Sequence, residues 1–153
     1  MQKYILLALA ILVLTAAHVW TAPKQRPCRD SINGRGAVPT SGANGVGRFV
    51  LRATSVDGQL RGWVRYVERT EQRRVVSREL VEYVVTDDVS RRLKFIVRDS
   101  EGLPSEIIVL ACDLGRRRTE DLLEIYFPDT SSAGGHLLRG GVRLRVRNCG
   151  TAP

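Results

Sequence analysis

The sequence predicts an all-β secreted protein: an antiparallel β-sandwich or partly closed barrel of about seven strands, preceded by a cleaved signal peptide and a coil-like lead-in. Three observations carry that expectation. The one strongly helical, apolar segment lies within the first 17 residues and has the layout of an export signal. From Gly47 onward, short β-branched and aromatic runs alternate with polar residues. Clusters of Gly, Asp, Asn, Ser and Pro punctuate those runs at close intervals, leaving little room for helices.

The elements follow in order. Lys3 supplies a short positive start, residues 5–14 read ILLALAILVL, and Thr15-Ala16-Ala17 follows with small residues where signal peptidase reads them. Cleavage is expected after Ala17, giving His18 as the new N-terminus. Retention as an anchor is the competing reading. A spanning helix needs about 20 apolar residues, and the run here reaches at most from Tyr4 to Trp20, with His18 breaking its end. Residues 18–46, rich in Gly, Pro, Ser and Asn, read as an extended lead-in. Residues 47–149 read as the domain and 150–153 as a tail.

Within the domain, Phe49, Leu51 and Ala53 share one side of the first strand. Asp57-Gly58 is a hairpin signal leading into residues 59–69, which hold Trp63, Val64, Tyr66 and Val67. Residues 70–73 make a second turn. In 74–86, Val76, Leu80 and Val84 recur at spacing four, as on an amphipathic helix. The run's valines and the alternating Val81, Tyr83 and Val85 favour a strand, and strand is the reading adopted. Leu93, Phe95 and Val97 alternate with Lys94, Ile96 and Arg98. Residues 99–104 break the chain. Residues 107–113 are nearly all apolar, as in a central strand buried on both faces. Residues 122–127 form a further strand and 128–135 a loop. The last run places Val142, Leu144 and Val146 on a buried face and Arg143, Arg145 and Arg147 on an outward one.

The C-terminal half carries a recognisable pattern: Val109, Asp113 and Gly115, then Asp121 and Ile125, then Ala133-Gly134-Gly135, Leu137, Gly140-Gly141 and Val142. This resembles the post-COAP domains, small β-rich modules of bacterial and archaeal extracellular proteins. Asp57-Gly58-Gln59-Leu60 is similar to that family's Gly-x-Leu entry to its second strand. The resemblance covers roughly residues 45–147. Val142-Arg143 stands where the pattern has an Asn, and Arg116-Arg117-Arg118 replaces a Gly- or Asp-containing loop. The resemblance implies a secreted sandwich or barrel attached to larger surface proteins, with no established enzymatic role, and it carries no catalytic residues over to this chain.

Three cysteines survive processing, Cys28, Cys112 and Cys149, and an oxidising compartment should pair two of them. Cys28 and Cys149 flank the domain, and domain termini often lie close together, so this pair is the first choice. Cys112 then remains as a small buried hydrophobe. Pairings of Cys112 with either partner stay open.

Twenty-four Lys and Arg face 16 Asp and Glu, a net charge of +8 that falls to about +7 when Lys3 leaves with the signal. Only Lys24 and Lys94 remain as lysines in the mature chain. Arginine's planar fork suits carboxylate, sulfate or phosphate. The candidate binding residues are Arg143, Arg145 and Arg147, with Arg116, Arg117 and Arg118 and the adjacent Arg73-Arg74 able to extend them. Those segments interleave no aromatics, unlike single-strand nucleic-acid sites, and with the export signal this argues against a nucleic-acid partner. The partners expected are an anionic polysaccharide or an extracellular protein.

Chemistry is sparsely represented. No resident cofactor is expected. A mature N-terminal His18 with His136 could brace copper, since imidazole suits that metal. Asp113, Glu120, Asp121 and Asp129 supply oxygens of the kind calcium takes, but the arginines at 116–118 compete for them. No Ser sits in a Gly-x-Ser-x-Gly elbow. Glu79 with Glu82, or Glu120 with Asp121, would be the carboxylate pairs of a hydrolase. The expectation is therefore a non-catalytic extracellular or periplasmic binding module with a basic face. The alternative is a secreted enzyme using His18 and His136 with copper, or a carboxylate pair.

Overall fold

The computed structural model describes residues 28–40, 45–98, 101–115 and 120–149. Their strands are β1 (Arg29–Pro39), β2 (Val46–Val56), β3 (Gln59–Glu68), β4 (Arg74–Ser77), β5 (Glu79–Val85), β6 (Ser90–Arg98), β7 (Pro104–Cys112), β8 (Leu122–Tyr126), β9 (Ser132–His136) and β10 (Arg139–Arg147). They form two five-stranded antiparallel sheets, one ordered β10-β1-β2-β3-β4 and the other β5-β6-β7-β8-β9. The sheets do not join into a barrel. No helix among the described residues is long and apolar enough to cross a membrane. The expected signal peptide, the N-terminal part of the lead-in through residue 27 and Arg116, Arg117 and Arg118 lie outside the described residues.

The core follows from period-two alternation. Phe49, Leu51 and Ala53 of β2 and Val64 and Tyr66 of β3 face Leu93 and Phe95 of β6, Ile107 and Val109 of β7, and Leu123 and Ile125 of β8, all buried. The β2–β3 hairpin turns on Asp57 at φ 47° and Gly58 at φ 80°, the pair of left-handed residues that an Asp-Gly turn requires.

Several expectations need correction. The lead-in was expected to be coil, yet residues 29–39 form β1, which lies between β10 and β2. Its sequence, RDSINGRGAVP, has weak strand propensity because its glycines answer to packing. A Cβ on Gly34 would stand 3.1 Å from the Phe49 ring, and one on Gly36 would stand 2.2 Å from the Arg139 carbonyl oxygen of β10. Gly34 admits the ring into the sheet interior, and Gly36 admits the neighbouring backbone. The 74–86 run is not one strand: it breaks at Arg78 into β4 and β5, which belong to different sheets. The loop expected at 128–135 contains most of β9, whose backbone pairs with β8. In β7, Ile108 and Leu110 lie only half-buried on the outer side, so that strand is buried on one face. On β10 only Val142 is fully buried. Leu144 is half-buried and Val146 is 49 % exposed, in keeping with the place of β10 at the edge of its sheet.

Polar groups tie the two sheets together. Arg91 of β6 makes a buried ion pair with Asp30 of β1 at 2.7 Å, and the Tyr83 hydroxyl donates to the same carboxylate at 2.6 Å. At the β10 edge, the Val142 amide donates to Asp121 and the Leu144 amide to Asp113, each at 2.8 Å. These two aspartates satisfy edge N–H groups that would otherwise be open to strand pairing. Cys28 and Cys149 are disulfide-bonded and Cys112 is free and buried, as expected from the sequence.

Candidate functional site

The site is the outer face of the β10-β1-β2-β3-β4 sheet. Because alternate residues point to opposite sides of a strand, each strand that buries apolar residues inward presents its other residues outward. Arginine is the most frequent residue at those outward positions. β10 contributes Arg139, Arg143, Arg145 and Arg147, and β1 contributes Arg29 and Arg35. β2 contributes Arg48 and Arg52, β3 contributes Arg61 and Arg65, and β4 contributes Arg74, with Arg78 just past its end. All twelve are exposed. The register aligns them across the sheet: Arg29 is opposite Arg147 and Asn33 opposite Arg143, while Arg48 is opposite Ala37 and Arg52 opposite Trp63.

No carboxylate occupies an outward position of this sheet among the described residues, and none of these arginines forms an ion pair there. On β10, Arg143, Arg145 and Arg147 follow one another at about 6.8 Å, twice the antiparallel rise. That is within the screening length of about 8 Å at physiological salt, so their fields add. The opposite sheet's outer face is different. There Glu82 pairs with Arg92 and Glu106 with Lys94, both at 3.1 Å. The net positive charge is therefore concentrated on one face.

The arginine face has relief. A shallow groove of about 740 Å³ is lined by Arg52, Thr54, Arg61, Trp63, Arg65, Arg74, Val76 and Arg78. A second depression holds exposed Val46 and Leu138 with Val50 and Val67, bordered by Arg48, Arg65, Arg69 and Arg139. Trp63 is the one aromatic at an outward position of this sheet among the described residues, and it is half-buried. Period two alone puts Arg61 and Arg65 on the same side of β3 as Trp63, but the arginines of the neighbouring strands that complete the frame, Arg52 and Arg78, reach the ring only through strand register, and the sequence reading missed Trp63 as a site residue.

The structure places Arg143, Arg145 and Arg147 on this face as expected. Arg74 joins them. Arg73 does not: it stacks 4.3 Å from the centre of the Phe127 ring and pairs with Asp129 at 2.9 Å. The acidic candidates do not converge. Both carboxylate oxygens of buried Asp121 accept backbone amides, from Leu114 and Val142. Asp113 holds Leu144, and Asp129 is exposed, its carboxyl held low by hydrogen bonds from Ser131 and by Arg73. That leaves Glu120 without Asp121 as a free catalytic partner. Glu79 and Glu82 flank a bulge in β5, and Glu82 is engaged by Arg92.

His136 is exposed, its Nδ1 2.9 Å from the Glu120 carbonyl, and His18 lies outside the described residues. No group of three or more metal-ligating side chains forms among the described residues. Burial pushes the Cys112 thiol up, away from the thiolate that reactivity needs.

The disulfide is consistent with an oxidising extracellular or periplasmic compartment. A scan of protein-family models finds no match to the chain, and neither the curated proteins nor the solved structures give one, so the resemblance to post-COAP domains stands on its residues alone.

Proposed function

We propose that this protein is a secreted, non-catalytic binding module that captures anionic polysaccharide through the outer face of the β10-β1-β2-β3-β4 sheet. The observation that carries the reading is the concentration of twelve exposed arginines on that face with no intervening carboxylate. A field of one sign over a sheet raises the local concentration of polyanions and speeds their capture. Arginine forks then give bidentate contacts that lysines would not. The export signal expected at residues 1–17 supports the reading, because it would bring such a surface to acidic glycans outside the cytoplasm. The post-COAP resemblance, to modules of extracellular proteins, points the same way.

Retention on a sulfated-polysaccharide column tests it. The wild-type protein should be held at physiological salt and elute as salt rises. Replacing Arg143, Arg145 and Arg147 together by Ser should lower the eluting salt, and adding Arg52→Ser and Arg65→Ser should lower it further. Arg92→Ser with Arg98→Ser, on the other sheet, should change it little. Equal losses from the two faces would refute the assignment.

A further inference from the structure

The groove around Trp63 combines two features that a merely charged surface lacks. The ring stands at the centre of a cationic frame. Arg61 and Arg65 lie two residues either side of it on β3, and Arg52 is directly opposite it on β2. Arg78 lies one register step beyond the Val64–Ser77 pair on β4. A tryptophan half-exposed among arginines is a natural seat for a guanidinium, yet the ring over which a guanidinium stacks among the described residues is Phe127, under Arg73. The indole contributes to the groove wall beside Val76, with Arg52, Arg61, Arg65, Arg74 and Arg78 lining the same groove.

We propose that this groove is a sugar-recognition subsite that binds one ring of a polyuronate chain, the apolar face of the pyranose against Trp63 and its carboxylate on the flanking arginine forks. The inference rests on the polyanion-binding reading of the sheet and names its ligand class. Three observations select the occupant. All twelve cations of the face among the described residues are arginines, whose fork holds a carboxylate bidentately, as it also holds sulfate and phosphate. Among the described residues the face holds one aromatic rather than the series of rings on which successive nucleic-acid bases stack. The remaining arginines, spread over all five strands, run on from the groove in the way a long, regularly charged chain would need.

Calorimetric titration with an oligogalacturonate of about six residues provides the test, with a neutral oligosaccharide of equal length and oligo(dT) as comparison probes. The wild-type protein should bind the oligogalacturonate and not the neutral chain. Trp63→Ala should weaken that binding about fivefold, the loss of about 1 kcal/mol expected on truncating an aromatic anchor. Its eluting salt on the sulfated-polysaccharide column should stay close to wild type. Trp63→Phe should recover part of the affinity. Arg52→Ser, at an exposed position that leaves the core untouched, should weaken binding whether or not Trp63→Ala folds. Unchanged oligogalacturonate affinity in a folded Trp63→Ala, unchanged affinity in Arg52→Ser, or tighter binding of oligo(dT) by the wild type overturns the subsite. If column retention still falls with the arginine variants, the wider reading survives that failure. Loss of retention by no variant would remove both.

Discussion

Single residues decide how the two sheets are held in register. Asp121 is 1 % exposed and accepts amides from two separate segments. Asp121→Asn presents an amide donor to one of those N–H groups and should cost about 1–3 kcal/mol, the penalty of a buried unsatisfied group. Denaturant unfolding should show a lower midpoint with an unchanged slope. Arg91→Met strands the Asp30 carboxylate in the interior and should cost about 3–5 kcal/mol, more than replacing both partners by apolar residues.

The neighbouring Tyr83 has its ionisation pushed up by burial first and then by its hydrogen bond to Asp30. Tyr66 is pushed up by burial and by Glu68. Both phenols ionise later in the folded than in the unfolded chain, where the midpoint is about 10. Their contribution to stability is therefore complete below that pH and is lost as pH climbs above it. An alkaline titration followed at the phenolate absorbance should show Tyr66 and Tyr83 ionising together with cooperative unfolding. A gradual titration of every tyrosine near pH 10, with the fold intact, would contradict this.

The strands differ in how readily their own residues announce them. β2, β3 and β6 have clean alternation of apolar and polar side chains, so their existence and their buried faces were legible. β1 and β9 were not, because glycine-rich segments form strands when neighbours supply the pairing and need the space. The 74–86 run was legible as extended chain but not as two strands of different sheets, since the break at Arg78 leaves no turn residue behind. The disulfide belongs to this scale too, because it ties the chain just before β1 to the chain just after β10. With the cysteines 121 positions apart, its closure constrains the unfolded chain by about 5 kcal/mol in the chain-entropy account. A Cys28→Ser/Cys149→Ser variant should be destabilised by up to that amount, and fraying should begin in β1 and β10. Hydrogen exchange would show it as early loss of protection in those two strands.

Across the whole molecule, the asymmetry of charge dominates. One outer face is arginine-rich and unpaired, while the other balances Glu82 and Glu106 against Arg92 and Lys94. Self-repulsion on the first face works against folding and is relieved by salt. The melting temperature should therefore rise with ionic strength. It should rise more with a bound polyanion, which at a hundredfold excess over its dissociation constant adds about 2.7 kcal/mol. A melting temperature indifferent to both would mean that the face neither repels itself nor binds.

Local sequence carries the all-β class, the export signal as an expectation, the preference for a Cys28–Cys149 bridge and the outward direction of Arg143, Arg145 and Arg147. All of these depend on local periodicity, on composition, or on where residues fall along the chain. Long-range pairing settles the bridge itself, brings arginines from five strands to one face, sets Arg52 and Arg78 beside Trp63, and uses Asp113 and Asp121 to cap an edge rather than gather into a cluster. Those facts depend on strand order and register, and β10 lies beside β1 through pairings between residues more than a hundred positions apart. No window of local sequence contains that information.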